Sequence, residues 1–116
     1  MATPRFQLFA SDSAVSWRFM SANNRDLGHA AFAFPDVDSC TAAIRLLCDH
    51  IASAVSTTVR AGPRHWAWRL RVGGVDRAVS SRYYERRVEA HNSCRSFQEL
   101  VRAAGRPELC QMLRWR

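Results

Sequence analysis

Cysteine and histidine lie close together at two places in this chain, a pairing that can support nucleophilic or metal chemistry. His91 precedes Cys94 by three residues, and Cys48 precedes His50 by two. A nucleophilic cysteine needs a base held by a third group and a site for the oxyanion, and the sequence indicates neither. A structural zinc site needs four converging ligands, usually in close pairs. We therefore expect no catalytic residue, no metal, no cofactor and no enzyme activity.

Residues 80–87, with the sequence SSRYYERR, could bind an anion, because they join a predicted strand to a predicted helix. A helix N-terminus presents unpaired N–H groups and a partial positive charge. Arg82, Arg86 and Arg87 would add charge-assisted hydrogen bonds to a phosphate or carboxylate. The alternative is structural: Ser81 caps the helix, a tyrosine packs on the sheet, and the arginines pair with neighbouring glutamates.

Three further arginines are predicted on one face of a sheet. The segment His65–Val72 alternates, with tryptophan and aliphatic residues on one side and Arg69 and Arg71 on the other. Arg18 holds the same position relative to Trp17. A sheet covered by helices on one face leaves the other free for solvent, a protein or a nucleic acid. Single-stranded nucleic acid is less favoured, because the large aromatic residues are predicted on the opposite face.

Positive charge is concentrated in the second half of the chain. Residues 1–58 hold four arginines and five aspartates, whereas residues 59–116 hold thirteen arginines, one aspartate and four glutamates. All seventeen basic residues are arginine, which suits bidentate recognition of carboxylate or phosphate. A genome whose codon usage favours arginine is the competing explanation.

The elements that must hold these arginines can be predicted in the first half from hydrophobic periodicity. Strands are predicted over Arg5–Ser11, Ser16–Ala22 and His29–Phe34, with a hairpin turn at Asn23-Asn24. An amphipathic helix over about 38–54 follows, because apolar residues recur there at intervals of three and four behind capping side chains.

The second half shows the same order of elements. A possible strand at 56–60 precedes the strand His65–Val72, a Gly73-Gly74 turn, the strand Val75–Ser81 and a helix over about 85–104. Trp17-Arg18-Phe19 and Trp68-Arg69-Leu70 lie 51 residues apart, and the turns that follow them lie 50 apart. This near-constant offset predicts two copies of one unit, about 5–60 and about 64–104, with a tail at 105–116.

These motifs resemble the YegP-like family of small bacterial domains of unknown function. An F-x-L-F strand, W-R-F, a turn, a strand with an aromatic residue and a capped helix are repeated as W-R-L, a turn, A-x-S-S-R-Y and a helix. The resemblance covers about residues 5–104 and implies tandem or dimer-related β-β-β-α-β units in a single sheet, with final strands exchanged. The second unit lacks an obvious first strand unless residues 57–60 supply it. The resemblance implies no catalytic residue, cofactor or substrate.

Length and composition indicate one globular domain over residues 1–116. The chain is 47% apolar and 23% charged, with no apolar run long enough to span a bilayer and no apolar signal core. We expect a cytoplasmic protein, a monomer or homodimer, that does not enter a membrane. Its four cysteines are too scattered for a disulfide framework, so reduced and mostly buried thiols are expected.

The predicted fold class is α+β: a single antiparallel sheet from two pseudo-symmetric meander units, with the helices on one face. The predicted core is Phe6, Leu8, Trp17, Phe19, Phe32, Phe34, Ile44, Leu47, Ile51, Trp66, Trp68, Leu70, Phe97 and Val101. The predicted function is a small non-enzymatic interaction module that binds an acidic protein partner through its arginine-rich second unit. RNA or DNA is the alternative partner for the same surface.

Overall fold

The computed structural model describes residues 3–104 and 111–114, with side chains described over 3–104. The described chain forms seven strands and two helices. In chain order they are β1 Arg5–Ala10, β2 Val15–Met20, β3 Asp26–Ala30, α1 Val37–Asp49, β4 Val55–Gly62, β5 His65–Val72, β6 Val75–Val79, α2 Arg87–Ala104 and β7 Gln111–Arg114.

The strands form one sheet in the order β4-β5-β6-β3-β2-β1-β7. Pairs among the first six strands of the chain are antiparallel, and β7 joins the edge at β1 in parallel. The predicted α+β class with a single sheet is therefore confirmed. The parallel edge strand comes from the C-terminal tail, whose conformation the sequence left open. Of the predicted tail, residues 111–114 form this strand, and residues 105–110 and 115–116 lie outside the described part.

The edge strand β4, which includes residues 57–60, supplies the first strand that the second unit lacked in the sequence. It pairs with β5 so that Thr58 lies opposite Trp68, as Leu8 of β1 lies opposite Trp17 of β2. Each half also contains one isolated antiparallel β-bridge at a matching place. It joins Val15 to Phe34 in the first half and Trp66 to Tyr84 in the second. These matching positions differ by 50 or 51 residues, in agreement with the offset in the sequence. An origin of the two units by duplication remains a prediction.

Both helices pack on the same face of the sheet, because their buried side chains share one core cluster. Trp17 and Trp68 lie at its centre, 1% and 0% exposed. Helix α1 contributes Cys40, Ile44 and Leu47, and α2 contributes Cys94, Phe97 and Val101. Burial of apolar surface on this single face is the main force that holds the helices to the sheet.

Three members of the predicted core are not fully buried. Phe32 is 44% exposed, because β3 ends at Ala30 and the chain bends away before Phe34 bridges back to Val15. Phe34 is half-buried and packs against the core cluster. Trp66 is half-buried near the sheet edge.

The helices are shorter than the sequence predicts at one end each. Asp36 caps α1: its carboxylate accepts hydrogen bonds from the hydroxyl and from the backbone N–H of Ser39, both at 2.7 Å. The hydroxyl first and the N–H second lower the pKa of the Asp36 carboxyl. The helix ends at Asp49, so Val55 does not continue its apolar face and is instead a 60% exposed residue of β4. Helix α2 begins two residues later than predicted, at Arg87.

The thiol of Cys94 should make the free energy of unfolding depend on alkaline pH. Desolvation raises its pKa from 9.0 to about 11, opposed in part by the hydrogen bond from the Ser56 hydroxyl, 3.2 Å from the sulfur. The folded state thus keeps a proton that the unfolded state loses near pH 9. Stability from this thiol is complete below pH 9 and declines as pH rises towards 11.

Denaturant titrations between pH 8 and 11 test this expectation when the wild type is compared with Cys94→Ala. The difference between the two proteins isolates this thiol from the other groups that titrate in the range. The wild type should lose stability more steeply than the variant. Parallel pH profiles would contradict the assignment.

Candidate functional site

The face of the sheet opposite the helices carries a row of paired residues from six strands. In register across the sheet the row contains Thr57, Arg69, Val79, His29, Arg18 and Gln7. Arg69 lies on this open face because its neighbours Trp68 and Leu70 both point into the core. The alternation of β2 and β5 thus predicted the side of the sheet correctly for Arg18 and Arg69.

Arg69 and Arg71 share one carboxylate. Arg71 Nε lies 2.7 Å and Arg69 Nη1 lies 3.4 Å from the two oxygens of Asp76. Both arginine side chains remain about half exposed, at 51% and 53%. The group therefore carries one net positive charge, and its two guanidinium groups are partly engaged within the fold.

Arg18 lies on the other half of the open face, away from this group. Its Nε donates to the side-chain oxygen of Gln7 at 3.1 Å, and its guanidinium lies 5.9 Å from the centre of the Phe9 ring. The neighbours of Arg18 are therefore neutral, and its charge is not balanced within these contacts.

The densest group of cations surrounds Trp66. Arg60 and Arg87 lie against its ring, at 5.0 and 5.7 Å from the centre, and Arg64 and Arg86 line the adjoining cavity of about 530 Å³. We call Trp66 and these four arginines the Trp66 cluster. Glu85 also lines this cavity. Among the described residues no carboxylate lies within 4.0 Å of the four guanidinium groups.

Arg82 does not join Arg86 and Arg87 in one site. It stacks over the ring of Tyr84 at 5.3 Å and lines a cavity of about 510 Å³ on the open face together with Arg69. Tyr83 is 63% exposed beside it, and its ring lies 5.8 Å from that of His65. The six predicted arginines therefore divide among three places: Arg86 and Arg87 in the Trp66 cluster, Arg69, Arg71 and Arg82 on the open face of the second half, and Arg18 on that of the first.

The structural alternative for residues 80–87 holds in one part only. Tyr84 packs against the core, and its hydroxyl is hydrogen-bonded to Ser93 of α2 at 2.5 Å. Ser81 does not cap α2, which begins six residues later; the Glu89 carboxylate accepts the backbone N–H of Arg86 instead, at 3.0 Å. The N-terminus of α2 is therefore capped by the side chain of Glu89, a residue of its own first turn.

Ser81 instead links two residues of β3, a contact that the sequence analysis missed. Its hydroxyl lies 2.5 Å from a carboxylate oxygen of Asp26 and 3.0 Å from Nδ1 of His29. These partners are more than 50 residues away in sequence, so local patterns could not pair them. The offset between the halves was the one available signal, because it predicts that β3 and β6 occupy matching positions.

Two solved structures resemble this chain over almost its whole length. A UPF0339 protein from Shewanella oneidensis matches with a TM-score of 0.78 and 11% identity, covering 97% of this chain and 92% of its own. YegP from E. coli, a protein of unknown function, matches with a TM-score of 0.72 and 14% identity, covering 100% and 97%. This chain has the YegP fold.

The predicted resemblance to the YegP-like family is thus confirmed in its fold. At 11% and 14% identity the YegP likeness carries no information about residue roles. No family model and no curated protein matches the sequence. A function must therefore be argued from the side chains themselves.

Two features of the described residues also bear on function. Within 3–104 and 111–114, no helix combines the length and the apolar character that crossing a membrane requires. Over the same ranges, no three His, Cys, Asp or Glu side chains come together in a way that could hold a metal ion.

Proposed function

We propose that this chain is a small non-enzymatic interaction module that binds an acidic protein partner through the basic surface of its second half. The observation that supports the proposal best is the Trp66 cluster: two arginines lie against one half-buried indole and two more line the adjoining cavity, and none of the four has an ion-pair partner among the described residues. Charges left unpaired in this way are available to carboxylates of another molecule.

The composition of the cluster favours a protein surface as the partner. Tryptophan and arginine are the residues most enriched among those that dominate protein–protein binding energy. Arg60 and Arg87 are also held in place: Arg60 donates to the Pro63 carbonyl at 2.7 Å, and Arg87 donates to the Thr58 hydroxyl at 3.0 Å. Because these side chains are already ordered, they would lose less conformational entropy when a partner binds.

Arg69 and Arg71 would lie at the edge of such an interface and contribute less to binding. Each is half exposed, and the Asp76 carboxylate that they share reduces the attraction they can offer. Exposed ion pairs contribute about 0–1 kcal/mol each. We therefore assign the larger share of the binding to the Trp66 cluster.

A single-stranded nucleic acid is the second candidate, and one feature favours it. Tyr83 is 63% exposed and lies beside His65 on the same face as Arg69. From the sequence, the large aromatic side chains were predicted on the opposite face. Exposed rings next to guanidinium groups allow bases to stack while phosphates are neutralised.

Fluorescence anisotropy can test both candidates with a labelled peptide of alternating glutamate and leucine and with labelled oligo(dT). Both titrations are run at about 20 mM and about 200 mM salt. We expect the peptide to bind more tightly and to weaken at the higher salt concentration. Tighter binding of oligo(dT), with a steep salt dependence, would favour the nucleic acid instead. The absence of binding by both probes at low salt would refute both candidates.

Matched variants distinguish binding by the Trp66 cluster from a general effect of the protein's net charge. Replacing Arg60, Arg86 and Arg87 together with glutamine should weaken peptide binding by roughly tenfold, since each pair contributes up to about 1 kcal/mol. The control replaces Arg45, Arg95 and Arg102, which are exposed on the two helices and remove the same charge. Equal weakening by the two triple variants would show that the Trp66 cluster is not the binding surface.

A further inference from the structure

A second feature of the open face suggests a small-molecule site that does not depend on the proposed protein partner. The cavity of about 510 Å³ lies between the end of β4 and the chain that leaves β6. Its walls include apolar side chains of Val59, Ala67 and Val79 and the polar groups of His29, Ser81 and Arg82. The wall of this cavity is about equally polar and apolar. A hollow in which a few polar groups converge beside apolar side chains is a usual form of a small-ligand site, and its volume falls in the usual range.

His29 is fixed in this cavity through one of its ring nitrogens. The Ser81 hydroxyl has a single proton, and the Asp26 carboxylate 2.5 Å away can only accept it. The same hydroxyl oxygen must then accept from His29, so Nδ1 carries a proton. Nε2 is left without a partner among the described residues. An imidazole oriented by a hydroxyl and a carboxylate in this way is prepared to interact through its other nitrogen.

The matching positions of the first half show that the fold does not require these polar groups. The positions fifty residues before Ser81, Arg82 and Tyr83 hold Ala31, Phe32 and Ala33. The next residue in each half, Phe34 or Tyr84, forms the isolated β-bridge of that half. The matching hollow, of about 320 Å³, is lined by Phe9, Val15 and Ala33 among others and has no charged residue in its wall. The charged side chains in the wall are therefore particular to the cavity near β4 and β6 and are absent from its counterpart.

We propose that this cavity binds a small organic anion, a carboxylate or phosphate carried on a flat apolar body. The anionic head would lie between the guanidinium groups of Arg82 and Arg69, beside the ring of His29. The body would lie on the side chains of Val59, Ala67 and Val79, next to the exposed ring of Tyr83.

Amide chemical shifts provide the test, with benzoate, phenyl phosphate and neutral benzamide as probes at millimolar concentration. We expect saturable shifts at His29, Ser81 and Tyr83 with an anion and no saturable shifts with benzamide. The tighter of the two anions identifies the head group. Arg82→Gln should weaken binding by roughly tenfold or more, as for loss of a charge-assisted hydrogen bond. His29→Gln should also weaken it.

Arg45→Gln is the matched control, because Arg45 is exposed on α1 and outside the cavity. It should bind the anions as the wild type does. The proposal is overturned if neither anion gives saturable shifts, if benzamide shifts the same amides equally, or if Arg45→Gln weakens binding as much as Arg82→Gln. Dispersed amide spectra of each variant establish that it is folded. The oligo(dT) and acidic-peptide titrations are independent of this result.

Discussion

Replacing Trp68 with alanine should lower the free energy of unfolding by roughly 3–5 kcal/mol, the usual effect of truncating a buried tryptophan. Trp68 is 0% exposed, its ring lies 4.9 Å from that of Phe97, and its indole N–H donates to the Ser93 hydroxyl at 3.3 Å. The substitution removes the packing between β5 and α2 and leaves the Ser93 hydroxyl with one partner fewer. Guanidinium chloride denaturation followed by far-UV circular dichroism measures the loss.

Trp66→Ala is a control of the same residue type in the same strand. Trp66 is only half-buried, so a smaller loss of about 1–2 kcal/mol is expected from the apolar area it covers. If Trp68→Ala does not fold, Trp68→Phe keeps most of the apolar volume and should show an intermediate loss. Equal losses for Trp66→Ala and Trp68→Ala would contradict the assignment of Trp68 to the centre of the core.

The elements with the clearest periodicity were predicted best. The strand His65–Val72 has the bounds predicted from its alternation, because eight successive residues keep a period of two. The cap at Asp36 follows from its side-chain chemistry, since a carboxylate accepts backbone N–H groups that the helix leaves unpaired. The turn at Asn24 has a φ of 64°, which asparagine tolerates. Each of these features is decided within a few residues of chain.

Predictions failed where contacts distant in sequence decide the structure. Phe32 fits the alternation of its strand but lies beyond the point where β3 pairs with β6, so it is exposed. Val55 fits the helical interval but belongs to β4, because pairing with Arg71 of β5 decides its place. The partner of Arg71 follows from a register shift between β5 and β6 that brings Asp76 opposite it. Periodicity contains no information about such pairings.

The two faces of the sheet differ in how far the sequence could describe them. On the helix face, apolar periodicity predicts which side chains are buried, and most of the predicted core is buried. On the open face, alternation predicts which residues lie there but not which side chains they contact. Whether a guanidinium there meets Asp76, the side chain of Gln7 or solvent depends on neighbouring strands. The candidate sites therefore required the structure. The sequence identified six of their arginines but missed Arg60 and Arg64 of the Trp66 cluster.

Gly28 should not tolerate a side chain, although its backbone conformation would allow one. It lies in β3 beneath the contact between the helix and the sheet, and a Cβ placed there would lie 2.8 Å from Cη2 of Trp68 and 2.9 Å from Cε2 of Phe97. Both neighbours are rigid rings that are at most 1% exposed, so neither can move aside easily. We expect Gly28→Ala to lower the free energy of unfolding by roughly 3 kcal/mol, as overpacking of a dense core does.

The sign of this effect distinguishes crowding from backbone entropy. Where space is available, Gly→Ala at an allowed conformation stabilises a protein by about 0.4–1 kcal/mol, because the unfolded chain has fewer conformations to lose. Phe97→Leu removes one of the two rings, so Gly28→Ala should cost less in that background than in the wild type. Chemical denaturation of the wild type, the two single variants and the double variant measures this coupling. A neutral or stabilising Gly28→Ala, or one whose cost does not depend on residue 97, would show that β3, β5 and α2 do not meet as closely as the structure indicates.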